Sequence, residues 1–333
     1  VVDLSGVTPP IYLPPGSLVQ VSATCVARLF RLVPTDEVVE ICEACIRAAA
    51  TYYEGKILLH EYEFMSNHLH LLATDLGDNG RGVLPDFMRY LDGMLTKNLN
   101  KHRGISGSNF EGYTVQIIDR DDTKRILEAV LYIQNQAVAA GLTRTNAEWK
   151  HCSSRNLAYG EKSTVVKPEL GIWANRMRKI NAAAADRSGR SKYVGHSRTP
   201  DQFSLTLHKL PGFGHMQPDE LRTMIARKLV RLELEAMVRR AITGGQVLGW
   251  EKARSIDHNH IPTSPRQLFD RRPTHAASTP ERREAARVRE ETFRREYAIA
   301  LEAFLDGDHT VEFPHGTYLM ARRFRARVAR GPG

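Results

Sequence analysis

Between Phe64 and Ala73 the chain reads Phe-Met-Ser-Asn-His-Leu-His-Leu-Leu-Ala, an apolar run interrupted by Ser66-Asn67 and by two histidines. The pattern predicts two short strands, Lys56 to Phe64 and His68 to Thr74, joined by a tight turn at Ser66-Asn67. Strand geometry then fixes the side chains, because residues i and i+2 share a face. His68 and His70 point together to one side, and Leu69 and Leu71 to the other. Two imidazoles held side by side on a rigid strand can bind a divalent cation. A His-x-His pair alone is more often structural or superficial, so a metal site needs a completing group from elsewhere.

That group is available between Thr123 and Leu142. Apolar residues at Ile126, Leu127, Val130, Leu131, Ile133, Ala137 and Val138 recur near helical spacing. Asp121-Asp122 suit a helix start, and Gly141 suits the stop. Tyr132 and Gln136 are four apart and therefore lie one above the other on one helix face. A phenol beside an amide oxygen, packed over two histidines, makes a tyrosine nucleophile next to a metal site. The plain alternative is a helix-face aromatic with a solvated glutamine.

Taken together, Met65-Ser66-Asn67-His68-Leu69-His70-Leu71-Leu72 and Tyr132-Ile133-Gln134-Asn135-Gln136-Ala137-Val138-Ala139-Ala140-Gly141-Leu142 resemble the REP-associated tyrosine transposases. These belong to the HUH single-strand transposases with one catalytic tyrosine. That family shows M-P/S-N-H-h-H-L-L, where h is apolar, and later Y-x-x-x-N-P-V-x-A-G-L. Here Gln136-Ala137 stands where the family often has Asn-Pro. Glutamine keeps an amide oxygen able to bind metal, and some relatives use it. The specific motifs cover the first half of the chain. Phe313-Pro314-His315-Gly316-Thr317-Tyr318 also looks like a segment of long members, but is less diagnostic. The resemblance implies Tyr132 as the nucleophile, with His68, His70 and Gln136 holding Mg²⁺ or Mn²⁺. It implies cleavage and rejoining of single-stranded or hairpin DNA through a 5′-phosphotyrosine, by a monomer or a homodimer.

The remaining pattern predicts an α+β chain. A β-branched stretch over 17–32 reads as a strand, broken by Pro34. Thr35 caps a helix running to Tyr53. After the two strands around Ser66-Asn67 come a helix over Pro85–Arg103, a strand over Gly112–Asp119, and the Tyr132 helix. This order matches a ferredoxin-like (RRM-like) antiparallel sheet with helices on one face. Residues 15–160 are expected to form this domain. Residues 161–333 are expected to form a basic, mainly helical accessory and DNA-binding region. Trp149–Tyr159 reads as an edge segment closing the first domain; in the second region 183–200 reads as a linker, Pro218–Ile242 as an amphipathic helix stopped by Gly244-Gly245, 254–280 as loop, and Pro280–Leu305 as a charged helix. The tail Arg322–Arg327 reads as disordered.

Charge separates the halves. Residues 1–150 carry 14 Lys/Arg and 18 Asp/Glu, a net −4; residues 151–333 carry 33 and 20, a net +13. Phosphate backbone is the commonest polyanion served by such a surplus. Arg89, Lys97, Lys101 and Arg103, on the Pro85 helix, are further candidate DNA contacts. No Walker loop or G-x-G-x-x-G is present, so no nucleotide cofactor is expected. No run of 18 apolar residues suggests a membrane span, and the first residues lack signal-peptide character. Cys25, Cys42, Cys45 and Cys152 are too few and irregular for a disulfide framework. Cys42-Glu43-Ala44-Cys45 reads as buried helix residues, and a reducing, bacterial-type cytoplasm fits. Two other functions remain open: a domesticated DNA-binding protein that has lost cleavage, suggested by Gln136-Ala137, and a metal-dependent hydrolase with water as nucleophile, which leaves Tyr132 without a role.

Overall fold

The computed structural model describes residues 10, 12–78, 81–174, 201–263 and 274–331. The chain forms a mixed α+β structure in the expected order: β1 (Ser17–Cys25), α1 (Asp36–Tyr52), β2 (Ile57–Phe64), β3 (His68–Asp75), α2 (Leu84–Arg103), β4 (Phe110–Ile118) and α3 (Thr123–Gln134). A short α4 (Gln136–Ala139) follows directly. The main sheet runs β2-β3-β1-β4-β7, antiparallel except at its last pair, where β7 (His275–Ala276) joins β4 in parallel. The first four strands have the order produced by two interleaved β-α-β units.

Pleating gives this sheet two different faces. Val19, Val21 and Ala23 of β1 lie opposite Ala73, Leu71 and Leu69 of β3 and share their face. α1 and α2 cover that side: Asn98 of α2 donates to the Cys45 Sγ of α1, and Tyr53 packs edge-on against Phe87. The alternate residues, Gln20, Ser22 and Thr24, share a face with Leu72, His70 and His68. α3 crosses that side, where Arg125 donates to the Gln20 Oε1 at 3.2 Å. Thr35 Oγ1 accepts from Val38 N at the start of α1, and Asp122 Oδ1 from Arg125 N at the start of α3, so local capping fixes where each helix begins.

The strand expected over 17–32 ends at Cys25. Ala27 (φ 51°) and Arg28 (φ 57°) take left-handed conformations, which cost L-residues about 1–2 kcal/mol each. Contacts hold them there. Ala27 N donates to Glu111 Oε1 (2.6 Å), Asn67 Nδ2 to Arg28 O (3.3 Å), and Leu32 N to Ser66 O (2.8 Å). The segment after β1 is thus folded back onto the turn that leads into His68.

The main apolar core continues past residue 160 and includes Trp173, Phe203, Leu205, Leu221, Ile225 and Leu229. β5 (Lys162–Val166) and β6 (Gln202–Thr206) pair antiparallel and pack on α1. Next come α5 (Pro218–Thr243), α6 (Trp250–Arg254), β7, α7 (Pro280–Leu305), β8 (Glu312–Phe313), α8 (Leu319–Phe324) and β9 (Arg327–Val328). The edge role expected for 149–159 is met, since Phe64 N donates to Cys152 O and Ser154 N to Tyr62 O. The tail is ordered where disorder was expected. Phe324, Ala326 and Val328 pack on Phe293, Tyr297, Phe313 and Met320, and β9 pairs with β8. The apolar residues interleaved among its arginines give it a surface to bury. The linker expected at 183–200, and 264–273 of the expected loop, lie outside the described residues. No helix among the described residues is long and apolar enough to cross a membrane.

His60, at the irregularity of β2, and His151 are buried as neutral rings. His60 Nδ1 donates to His208 O (3.0 Å) and its Nε2 accepts from Thr74 Oγ1 (2.8 Å), while His151 Nε2 donates to Leu32 O (2.8 Å). Burial pushes the pKa of His60 down to about 4 and that of His151 to about 3. The unfolded chain therefore binds more protons below its histidine pKa of about 6.5. The stabilisation is complete above that pH and is lost as pH falls through about 4. Each ring thus takes up to about 1.4 kcal/mol per pH unit from the unfolding free energy below pH ~6, while the raised Glu63 carboxyl acts in the opposite direction over the same window. His151→Gln is expected to remove one ring's share of that loss, and an identical pH dependence of the variant and the unaltered chain between pH 7 and 4.5, read by urea titration, would contradict the assignment.

Candidate functional site

The face of the sheet under α3 brings together three of the four residues singled out by their spacing. The His68 and His70 rings lie 4.8 Å apart, near perpendicular, and the Tyr132 ring lies 5.3 Å from that of His70. His70 is buried, His68 partly so, and Tyr132 is half exposed. Asn67 Oδ1 bonds His68 Nδ1 at 2.7 Å and orients that ring. α3 stops at Gln134, because Asn135 departs from helical geometry, and α4 resumes at Gln136. Across this break Gln136 Nε2 donates to Tyr132 O at 2.8 Å, so the amide oxygen is the end of Gln136 left to accept a cation. Gly141, in the left-handed region at φ 70°, turns the chain out of α4. Met65, Ala137, Trp149 and Ala253 pack together at the end of the site, and Trp149 Nε1 donates to Phe64 O at 2.9 Å.

The tyrosines of β4 and α2 lie away from the histidines. Tyr113 pairs with Ala23, on the opposite face of the sheet, and burial pushes its phenol pKa up. Tyr90 stacks on Tyr52 at 4.9 Å on the α1–α2 side.

Beneath α3 sits a buried polar network that sequence reasoning missed. Glu61 and Glu63, both on β2, are fully buried and lie opposite Leu72 and His70. Glu61 accepts from Arg222 NH1 (2.8 Å), Gln134 Nε2 (2.5 Å), Ser154 Oγ (2.5 Å) and the Tyr159 hydroxyl. The Arg222 guanidinium also lies over the Tyr159 ring, 3.9 Å from its centre. Glu63 Oε1 accepts from Arg155 NH2 (3.0 Å), which also donates to Gln134 O (3.2 Å). Burial pushes Glu63 up to about 8 against the opposing pull of Arg155. These bonds tie β2, the end of α3, residues 153–159 and α5 to one another, two residues from Tyr132. In Leu59-His60-Glu61-Tyr62-Glu63-Phe64 the alternation alone reads as a strand with one solvated face. Only the covering by α3 and α5 reverses that.

The basic residues of α2 are not brought to this group, because α2 packs across the sheet. Arg89 is tied to Asp86 (2.5 Å) and Arg103 NH1 donates to Arg31 O (2.6 Å), while Lys97 and Lys101 are exposed. On α7, Arg282 is paired with Asp119, Arg287 with Glu284 and Glu291, and Arg294 with Glu290. Part of the C-terminal arginine surplus is therefore spent within the fold. Cys42 and Cys45 are buried thiols whose pKa values are raised by burial. Among the described residues, no three His, Cys, Asp or Glu side chains converge to hold a metal ion. A cation here needs the two imidazoles, the Gln136 oxygen, and water or phosphate.

No family model matches the chain, and no curated protein matches it. Among solved structures, a REP-associated tyrosine transposase bound to a REP hairpin aligns at 14% identity over 43% of this chain and 78% of its own, with a TM-score of 0.32. A protein from Deinococcus radiodurans assigned as a transposase aligns at 23% identity over 36% of this chain and 89% of its own, with a TM-score of 0.25. Both likenesses are too distant to carry an argument about this chain.

Removing Arg222 leaves Glu61 buried without its cationic partner. Arg222→Met is expected to lower the unfolding free energy by about 3–5 kcal/mol, measured by denaturant titration. A loss below about 1 kcal/mol would mean that the pair behaves like an exposed one.

Proposed function

We propose that this chain cleaves and rejoins single-stranded or hairpin DNA through Tyr132. The observation that carries the reading is the contact of the Tyr132 and His70 rings at 5.3 Å, on the face that also holds His68. Supporting it is the resemblance of both segments to the REP-associated tyrosine transposases. Tyr132 Oη attacks a phosphorus atom, and the bond from phosphorus to the 3′ oxygen breaks. The phenol loses its proton, the departing 3′ oxygen gains one, and the 5′ phosphate remains esterified to the enzyme. Attack by a 3′-OH on that ester reverses the step, so rejoining needs no nucleoside triphosphate.

His68, His70 and Gln136 would hold a Mg²⁺ or Mn²⁺ ion, consistent with an imidazole and amide-oxygen donor set. Such an ion, when bound, polarises the scissile phosphate and stabilises developing charge. The Asn67–His68 bond is the kind of outer contact that orients a ligating imidazole. Tyr132 is half exposed, so a strand can reach it from solvent without the helix moving. An unpaired strand suits this approach better than a duplex, because single strands bend and present bases for stacking.

The test is incubation of the full chain with hairpin-bearing single-stranded DNA and Mn²⁺, with the denaturation-resistant protein–DNA adduct as readout. Tyr132→Phe keeps the ring and removes the attacking oxygen. It is expected to fold, to bind the same DNA, and to form no adduct, since any remaining attack by water leaves nothing esterified to the protein. Normal nicking by Tyr132→Phe would favour metal-activated water. Hairpin binding without cleavage by the unaltered chain would favour a binding protein.

The net +13 of residues 151–333 supports a polyanion as ligand. DNA affinity is expected to fall steeply with salt, by a slope of about −0.7 per phosphate contacted in log–log form for a single strand. A salt-independent affinity, read by fluorescence anisotropy, would contradict this.

A further inference from the structure

α5 faces two ways. Its first half turns Leu221, Ile225 and Leu229 into the main core. Its second half turns Val230, Leu234, Met237, Val238 and Ile242 outward, and each is more than half exposed. At 100° per residue these five gather on one side of the helix, opposite the buried row. Contiguous apolar surface of this kind marks an interaction site in a soluble protein. Aliphatic side chains have nothing to offer a phosphate backbone, so DNA does not fit this stripe.

We propose that the stripe pairs with the same stripe of a second copy, with the two helices antiparallel about a two-fold axis at Met237. The charges beside the stripe select this partner and this direction. One flank carries Arg231, Glu235 and Arg239, with Arg231 and Glu235 bonded at 3.0 Å on the surface. Glu235 and Arg239 are each two residues from Met237. An antiparallel pair centred there therefore sets Glu235 of each copy beside Arg239 of the other. On the opposite flank Glu233 lies four residues before Met237 and Arg240 three after, a second reciprocal arrangement of charges that the chain also uses internally, Glu233 accepting from Asn146 N and Arg240 donating to Val138 O. A parallel pair would instead set each of these charges against its own kind. Leu234 and Val238, on either side of Met237, complete a self-complementary patch of the type an isologous dimer requires. The overlap is only about three helical turns, so the contact belongs with small, weak interfaces.

The test uses the full chain, whose four cysteines are all buried and do not confuse cross-linking. Light scattering is expected to give twice the chain mass near ~100 µM and to approach the single-chain mass on dilution, as a small interface requires. Under mild oxidation Met237→Cys, on the axis, is expected to form a disulfide between copies. Val230→Cys is expected to form none, because fourteen residues at 1.5 Å per residue separate its two copies by about 21 Å, beyond disulfide reach. Leu234→Glu with Val238→Glu is expected to give a single-chain mass with unchanged helix content. Glu235→Arg and Arg239→Glu should each weaken the dimer, and the double exchange should restore it. A single-chain mass at every concentration would overturn the proposal, as would Val230→Cys cross-linking as readily as Met237→Cys.

Discussion

Glu61 puts a carboxylate in the interior of the sheet face that carries the candidate site. Burying such a group without partners is costly, so each of its acceptor positions must be met. Its four partners come from three places: Gln134 on α3, Ser154 and Tyr159 on the segment along the β2 edge, and Arg222 on α5. No two of these lie in one secondary-structure element. Docking of α3, of the edge segment and of α5 is therefore coupled through one side chain. Gln134 is two residues from Tyr132, so the bond that satisfies Glu61 also sets the end of α3 from which Tyr132 projects. An entirely apolar contact would allow α3 to slide or rotate by a fraction of a turn. A hydrogen bond at 2.5 Å to a fixed strand does not.

The same logic explains which parts of the fold could be read from the residues. β3 was legible because its turn at Ser66-Asn67 is marked and its run is short. α1 and α3 were legible because Thr35 and Asp122 cap them, and Gly141 marked the end of α4. Each of these signals is local. The end of β1 was not legible, because what stops it is long-range: Ala27 held by Glu111, and Arg28 by Asn67. Glu61 and Glu63 were not legible for the same reason, since a charged alternation reads as a solvated face until a remote helix covers it. β7 is two residues long and is defined by β4 rather than by its own composition. The tail was misread because its arginines hid Phe324, Ala326 and Val328, whose partners lie on α7 and β8.

Within the site the legible part was the part set by one element at a time. Strand pleat places His68 and His70 together, and helix spacing places Tyr132 and Gln136. What spacing could not give is how the strand meets the helix. That meeting depends on α3 crossing the polar side of the sheet while α1 and α2 take the apolar side. It also separates Arg89, Lys97, Lys101 and Arg103 from the histidines by the thickness of the sheet. Net charge was legible as a total but not as a surface. Arg282, Arg287 and Arg294 are each matched by an acid from Asp119 or from their own helix. The positive surplus that a polyanion would meet is therefore smaller and more localised than the count of arginines suggests.

α5 joins these two levels. Arg222, near its start, is anchored to Glu61 inside the protein. Further along, Asn146 N donates to Glu233 (2.7 Å) and Arg240 NH2 donates to Val138 O (3.0 Å), so the helix also braces the turn after α4. Glu233 and Arg240 thus serve the chain's own α3–α4 region while flanking the exposed apolar stripe. A second copy seated on that stripe would sit directly over the two residues that hold α4 in place. The helix that carries the exposed stripe is thus hydrogen-bonded to α4 at Val138 and to the segment after it at Asn146, so its outer and inner faces act on one element.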